Sequence, residues 1–389
     1  MKEMPRVAVY NNPKVRSAFY QLVLLAALIW LAVEFAFNAK ANLDAQNVRF
    51  GFGFLSDPAS FGVSQSLIPF SEQDSYARVF LVGLLNTLLV SALGIVFATI
   101  LGFVIGIARL SPNLLVARLA GGYVELIRNL PLLFQILFWY LAVLGTLPRP
   151  RESLSLFGGA YLNNRGIFLP SVVPEEGARW IGLAFAIGVV ASVLLAVWSK
   201  RRKERTGREF PAAITGAVLV VGLPLVALVA AGFPFGLAYP QLRGFNFVGG
   251  IRINPEFIAL LIALTTYTAA FIAEVVRAGL LAVPSGQTEA AQALGLRRGK
   301  LLRFVVVPQA LRVIVPPLTN QYLNLTKNSS LAVAIGYPDL FAVFAGTTLN
   351  QTHQAIEIIA ITMAVYLLIS LATSLAMNLY NARVQAKER

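Results

Sequence analysis

Amides, hydroxyls and charges are scarce inside the apolar blocks of this sequence, so those that occur there mark where chemistry can happen. The densest group is Asn320, Gln321, Asn324, Lys327, Asn328, Ser329 and Ser330. Asn320, Asn324, Lys327 and Asn328 follow an i, i+4, i+7, i+8 spacing, which puts them in one stripe on a helix. Amides and an ammonium can together meet both ends of a zwitterion such as an amino acid. Hydrogen bonding between packed helices is the alternative use of the same stripe. Thr265, Thr266, Tyr267 and Thr268 form a second polar set, and two pairs, Glu125 with Arg128 and Glu274 with Arg277, share a three-residue spacing that puts each pair on one helix face. Such pairs can neutralise each other near a membrane surface or act as a gate. No histidine pair, carboxylate cluster or nucleophile with a base accompanies them, so the sequence carries no catalytic constellation.

These residues must be held by membrane-spanning helices. Apolar residues make up 57% of the 389 and charged residues only 13%, against about 25% charged in soluble domains. The apolar excess falls into blocks of about 20 residues, each enough to cross a bilayer as a helix. Eight spans are predicted, near 17–37, 79–108, 123–147, 180–198, 212–233, 256–281, 305–325 and 355–379. With the N-terminus inside, 19 Lys and Arg fall on inside segments, among them the cluster Lys200, Arg201, Arg202, Lys203, Arg205 and Arg208. The outside loops hold fewer, so the positive-inside rule favours N-in and C-in. The net charge of +14 follows from the same bias and does not call for nucleic acid. Absent cysteine excludes disulfides and thiolate metal sites, and a lone histidine, His353, gives no basis for a metal site. Ala39-Lys40-Ala41 after the first block imitates a signal-peptidase site, but the block is long enough to span.

The most informative stretch is Pro284-Ser285-Gly286-Gln287-Thr288-Glu289-Ala290-Ala291-Gln292-Ala293-Leu294-Gly295, running through Arg297 and Arg298 to Val305-Val306-Val307-Pro308 on the inside. Thr288 is expected to N-cap a short helix with Glu289 at its positive end. Gly295 is expected to supply a left-handed stop. Small side chains on such a helix let another protein approach closely. Gly295 to Leu301 superficially suggests a Walker A loop, but it is one residue short and ends in Leu.

Here the chain resembles the permeases of ATP-binding-cassette importers. Their signature is Glu-Ala-Ala, three residues, Gly, nine residues, an aliphatic, one residue and Leu-Pro. It is met by Glu289-Ala290-Ala291, Gly295, Val305 and Val307-Pro308, with Val in place of Leu. Tyr123–Gln135 and Ala273-Glu274-Val275-Val276-Arg277 with Val283–Gln287 resemble the polar-amino-acid branch, and the extra first span, the loop 38–78 and the insertion 148–255 resemble the longer permeases of general L-amino-acid importers.

The resemblance implies an all-α inner-membrane protein of about eight helices around a five-helix type I permease core. In it Gln287, Glu289, Ala290, Ala291, Leu294, Gly295, Arg297, Arg298 and Pro308 would dock on an ATPase. Asn320, Asn324, Lys327, Asn328, Ser329, Ser330, Thr265, Thr266 and Tyr267 would line the substrate path. The expected partners are a homologous second permease, two ATPase subunits that use the ATP and Mg, a periplasmic amino-acid-binding protein, and membrane lipid. No cofactor is expected in this chain.

The expected organisation is a cytoplasmic tail 1–16, first helix 17–37, periplasmic loop 38–78, core 79–147, insertion 148–255 with two spans, core 256–380 with coupling loop 282–304, and tail 381–389. An ion-coupled secondary amino-acid transporter is the alternative from another class, which polar mid-membrane helices would suit. The coupling signature disfavours it.

Overall fold

The computed structural model describes residues 13–45, 51–207 and 210–386. The outer parts of both expected tails, Arg208, and positions 46–50 of the expected loop 38–78 lie outside these. In chain order the helices are α1 (Pro13–Ala45), α2 (Tyr76–Ala108), α3 (Leu114–Asn129), α4 (Leu132–Leu137, prolonged at π pitch to Leu144), α5 (Ala178–Thr206), α6 (Ala212–Ala230), α7 (Pro255–Leu281), α8 (Ser285–Ala293), α9 (Arg298–Leu301), α10 (Val307–Asn328), α11 (Leu349–Thr352) and α12 (Ala355–Ala386). Seven stretches are single helices long and apolar enough to cross a membrane, and the α3–α4 pair brings the number to eight if counted as one span. The chain is a mostly helical, multi-span membrane protein.

The third span departs from expectation. The apolar run 123–147 is not one straight helix: α3 and the α4 stretch meet at 106°. Pro131 is the cause, because it lacks an N–H and disfavours helical geometry at Leu130. The buried Gln135 side chain donates to the carbonyls of Ile127 and Leu130, each at 3.0 Å, replacing backbone donors that the bend removes.

Contacts divide the chain into two units, residues 1–124 with 268–389, and residues 125–267. In the first, α2 presents a buried line of small residues that includes Gly83, Gly94, Gly102 and Gly106. A Cβ on Gly106 would lie 2.7 Å from the Ala273 carbonyl oxygen, and one on Gly83 would lie 2.8 Å from Leu340 Cα. Only glycine lets these backbones meet so closely, the usual route to tight packing between helices in lipid. A core of Phe54, Tyr76, Val79, Leu340, Val343, Phe344 and Ile358 closes one end. The seventh span is helical without interruption from Arg298 to Ile335. It changes to π pitch over Leu302–Val306 and to 3-10 over Ser329–Ile335. Pro308, which cannot donate to the preceding turn, lies two residues after the π segment. The helix continues through Pro316 and Pro317.

The second unit, residues 125–267, holds the whole insertion 148–255. Its loops form eight short strands: β1 (Leu154–Leu156), β2 (Ala160–Asn163), β3 (Gly166–Leu169), β4 (Ser171–Pro174), β5 (Phe235–Ala238), β6 (Gln241–Arg243), β7 (Asn246–Val248) and β8 (Ile251–Ile253). One antiparallel sheet has the order β1-β2-β3-β8, and β4 pairs with β5. Ile167 opposite Ile253 and Val172 opposite Leu237 therefore tie the chain before α5 to the chain after α6. The α5–α6 hairpin leaves and returns at one place. Phe247 stacks on Tyr161 at 4.6 Å and packs on buried Phe168 at 5.0 Å, a small aromatic core for the strands.

Candidate functional site

The short helix α8 begins earlier than expected. Pro284, extended at φ −60° and ψ 137°, precedes its first residue, Ser285, and Thr288 lies inside the helix rather than capping it. Proline has no N–H to be satisfied and pre-sets the entry φ, so the helix can start directly after it. The far end is a Schellman stop: Leu296 N–H bonds to Ala291 O at 3.1 Å and Gly295 N–H to Gln292 O at 2.8 Å. Gly295 has φ 76°, in the left-handed region. Ala291 is buried, whereas Gln287, Glu289, Ala290, Arg297 and Arg298 are exposed. Leu294 is 83% exposed, a large apolar side chain held out on an otherwise polar surface. Pro308 lies in the first turn of α10.

Arg277 Nη2 meets Glu274 Oε1 at 2.5 Å, as an i, i+3 pair. Glu274 also bonds to Arg109, the residue that ends α2. One carboxylate thus joins two guanidinium groups from two helices, just beyond the glycine contact at Gly106. Sequence reasoning missed Arg109 as a member of this set, since 165 residues separate it from Glu274 and no local spacing links them. Glu125 and Arg128 are both exposed on α3.

The polar stripe on α10 divides by face. Asn320, Asn324 and Lys327 are exposed, Asn328 is half-buried, and Leu318, Leu325, Thr326 and Ser329 are buried on the other side. The stripe faces away from the packed core of its own unit. Ser329 and Ser330 hydroxyls donate to the carbonyls of Thr326 and Lys327, both at 2.8 Å, where the helix tightens to 3-10. Lys327 and Ser330 line an open cavity of about 400 Å³ with Phe341, Thr362, Met363 and Tyr366. In the other unit, Thr265, Thr266 and Tyr267 are half-buried on α7, and the Thr266 hydroxyl bonds back to Ile262 O at 2.8 Å.

A polar clamp beside this cavity also escaped the sequence reading. Asn86 Nδ2 donates to the carbonyls of Gln65 and Pro338, both at 2.9 Å. Tyr337 donates to Asn86 O at 3.1 Å, and Leu340 N–H donates to Thr87 Oγ1 at 2.9 Å. The buried Asp339 carboxylate accepts from Ala342 N–H at 2.8 Å and from Tyr366 Oη at 3.3 Å. These bonds fasten the turn after the seventh span to α2. An Asn-Thr pair inside an apolar block was the available signal, because a buried amide in a membrane span needs a partner.

The described residues form a multi-span helical bundle with a short, largely exposed helix, α8, between two spans. Residues 211–386 match the model of the family described as binding-protein-dependent transport system inner membrane component. The chain is 52% identical over 384 residues to the general L-amino acid transport system permease protein AapQ of Rhizobium johnstonii, covering 99% of this chain and 96% of the relative. It is 44% identical over 399 residues to the glutamate/glutamine/aspartate/asparagine transport system permease protein BztB of Rhodobacter capsulatus, covering 95% and 92%. The chain belongs to this family: it is a multi-pass inner-membrane permease subunit of an ATP-binding-cassette importer. It is not itself an enzyme, and it works with ATPase and binding-protein partners.

Proposed function

We propose that this chain, paired with a homologous second permease, forms the path by which a broad range of L-amino acids crosses the inner membrane. Two ATPase subunits drive the path through α8, and a periplasmic amino-acid-binding protein feeds it. The observation that carries the drive is α8: a small-residue helix with exposed Gln287, Glu289 and Leu294, fixed at its far end by Gly295. A rigid, short and exposed helix can transmit a push to the spans on either side, α7 and α10.

The cargo reading is supported by the names of the two full-length relatives and by the exposed stripe Asn320, Asn324 and Lys327, continued by Asn328. Lys327, at one edge of a cavity of about 400 Å³, offers an ammonium to a carboxylate. The Glu274 network with Arg109 and Arg277, and the pair Glu125 with Arg128, act as closures on this path that change partners as it opens.

The test is uptake by the complete complex in vesicles loaded with ATP and supplied with binding protein, measured for a panel of neutral, acidic and basic amino acids. Lys327→Met is expected to leave assembly intact and lower uptake on the order of tenfold or more for acidic and neutral substrates, the loss of one charge-assisted hydrogen bond. Unchanged uptake of every substrate would remove Lys327 from the path.

A further inference from the structure

The α5–α6 hairpin has a feature that neither cargo passage nor ATPase coupling uses. Its two helices pack on each other through small residues: a Cβ on Gly188 would lie 2.7 Å from Leu219 O, and Gly216 meets Ser192. Their outward faces carry exposed Val190, Leu194, Val218 and Val226. Only 6% of either apolar window is buried. Outward faces of this kind suit contact with lipid tails.

At the end of α5 the composition changes abruptly. Lys200, Arg201, Arg202 and Arg205 fall in the last turns, with Glu204 the one acid among residues 200–206. Lys200, Arg201 and Arg205 are exposed. The tip is ordered rather than merely charged. The Arg202 guanidinium lies 5.1 Å over the Trp198 ring, and Phe210 meets Trp198 edge-on at 5.6 Å. Ser199 donates to Phe210 O at 3.3 Å, and Gly207, at φ 67°, ends the helix. The tryptophan marks the depth at which hydrocarbon gives way to headgroups. The cations stand immediately beyond it, at the negative end of the α5 dipole, on the side that the charge bias assigns to the cytoplasm.

We propose that this tip is a binding site for anionic phospholipid headgroups of the cytoplasmic leaflet. Charge complementarity selects the ligand, since guanidinium groups bind phosphate oxygens in paired hydrogen bonds. The apolar hairpin supplies the location, because the helix that carries the cations reaches them directly from the hydrocarbon layer. Orienting the hairpin needs only a charge excess. A cluster of four cations, one of them, Arg202, held over Trp198, exceeds that need.

The experiment uses the full complex reconstituted in phosphatidylcholine vesicles with and without phosphatidylglycerol. It measures phosphatidylglycerol retained per complex on re-extraction, by mass spectrometry. Wild type should retain phosphatidylglycerol in preference to phosphatidylcholine. Lys200→Gln/Arg201→Gln/Arg202→Gln/Arg205→Gln should retain at least about tenfold less, because the charges that attract an anionic headgroup are gone. Arg201→Lys/Arg202→Lys/Arg205→Lys should retain less than wild type but more than the quadruple variant, since lysine keeps the charge and loses the paired hydrogen bonds. The double variant Arg201→Gln/Arg205→Gln keeps Lys200, Arg202 and Lys203 for orientation and should fall between them. Thr206→Cys, in a chain without native cysteine, reports by labelling that the tip stays on its side. Equal retention by wild type and both glutamine variants would overturn the site. Loss of a partner subunit with lipid retention unchanged would also overturn it and make the tip a protein contact.

Discussion

The permease core and the inserted hairpin are both made of long apolar helices, yet they use them oppositely. Half of the α7 apolar window is buried, against 6% for α5 and for α6. The difference lies in what interrupts the apolar run. In α2 and α7 it is broken by glycines, threonines and a carboxylate, several with a partner across a helix contact, as Gly106 has Ala273 and Glu274 has Arg109. In α5 and α6 few polar residues interrupt it, and the chemistry is displaced to the ends: strands at one, cations at the other. Since lipid is as apolar as leucine, helix association needs close backbone approach or polar bonds. Hydropathy alone finds both kinds of helix. The small and polar residues decide which ones carry the mechanism.

The strongest way to break this contrast is at the coupling turn. Gly295→Val places a β-branched residue at φ 76°, a conformation such residues essentially avoid. The Schellman bonds cannot form unstrained, and everything from Arg297 onward is redirected. The protein should still insert in the membrane, while ATP-driven uptake falls at least tenfold and ATPase is lost on co-purification. Wild-type ATPase recovery and hydrolysis would mean that α8 does not couple the subunits.

A smaller effect separates the two regions directly. Gly106→Leu must push α2 away from Ala273 and Val276; overpacking of this kind costs about 1–3 kcal/mol. Gly182→Leu on α5 meets nothing within 4 Å. The first should lower the thermal midpoint of the purified complex and the second should leave it near wild type. Equal midpoints would show that the hairpin is as tightly packed in the assembled complex as the core.

What could be read from sequence follows the same line. The α8 stop was legible because its determinants are local: a glycine placed where the helix must end. Its start was misread, since Thr288 is a plausible cap and the effect of Pro284 was not weighed. The bend before α4 was hidden by apolar continuity across Pro131, although the proline itself was visible. The eight strands of the second unit escaped because runs of three or four residues carry no usable period. Arg109 and the Asn86 clamp were out of reach for another reason. They depend on which helices meet, and no spacing within one helix records that.

The smallest expected effect tests how the core meets its ATPase. Glu289 is exposed on α8, at its fifth residue. Its carboxylate is therefore available to a basic group on the ATPase, but water competes for it until docking is complete. Long side chains must also be fixed to make such a pair. Exposed ion pairs are accordingly worth about 0.2–1 kcal/mol, and Glu289→Ala should weaken ATPase association no more than about fivefold. Raised salt should shrink that difference, since screening acts on exposed charges. Leu294→Ala is the internal comparison. It removes an 83% exposed apolar side chain whose burial on docking would contribute about 1.5–3 kcal/mol, and salt should not diminish its effect. Association measured for both variants at low and high salt distinguishes the two terms. If Glu289→Ala proved the more damaging and stayed so at high salt, the carboxylate would have to be desolvated at the docking surface, and α8 would insert into the ATPase by its charged face rather than its apolar one.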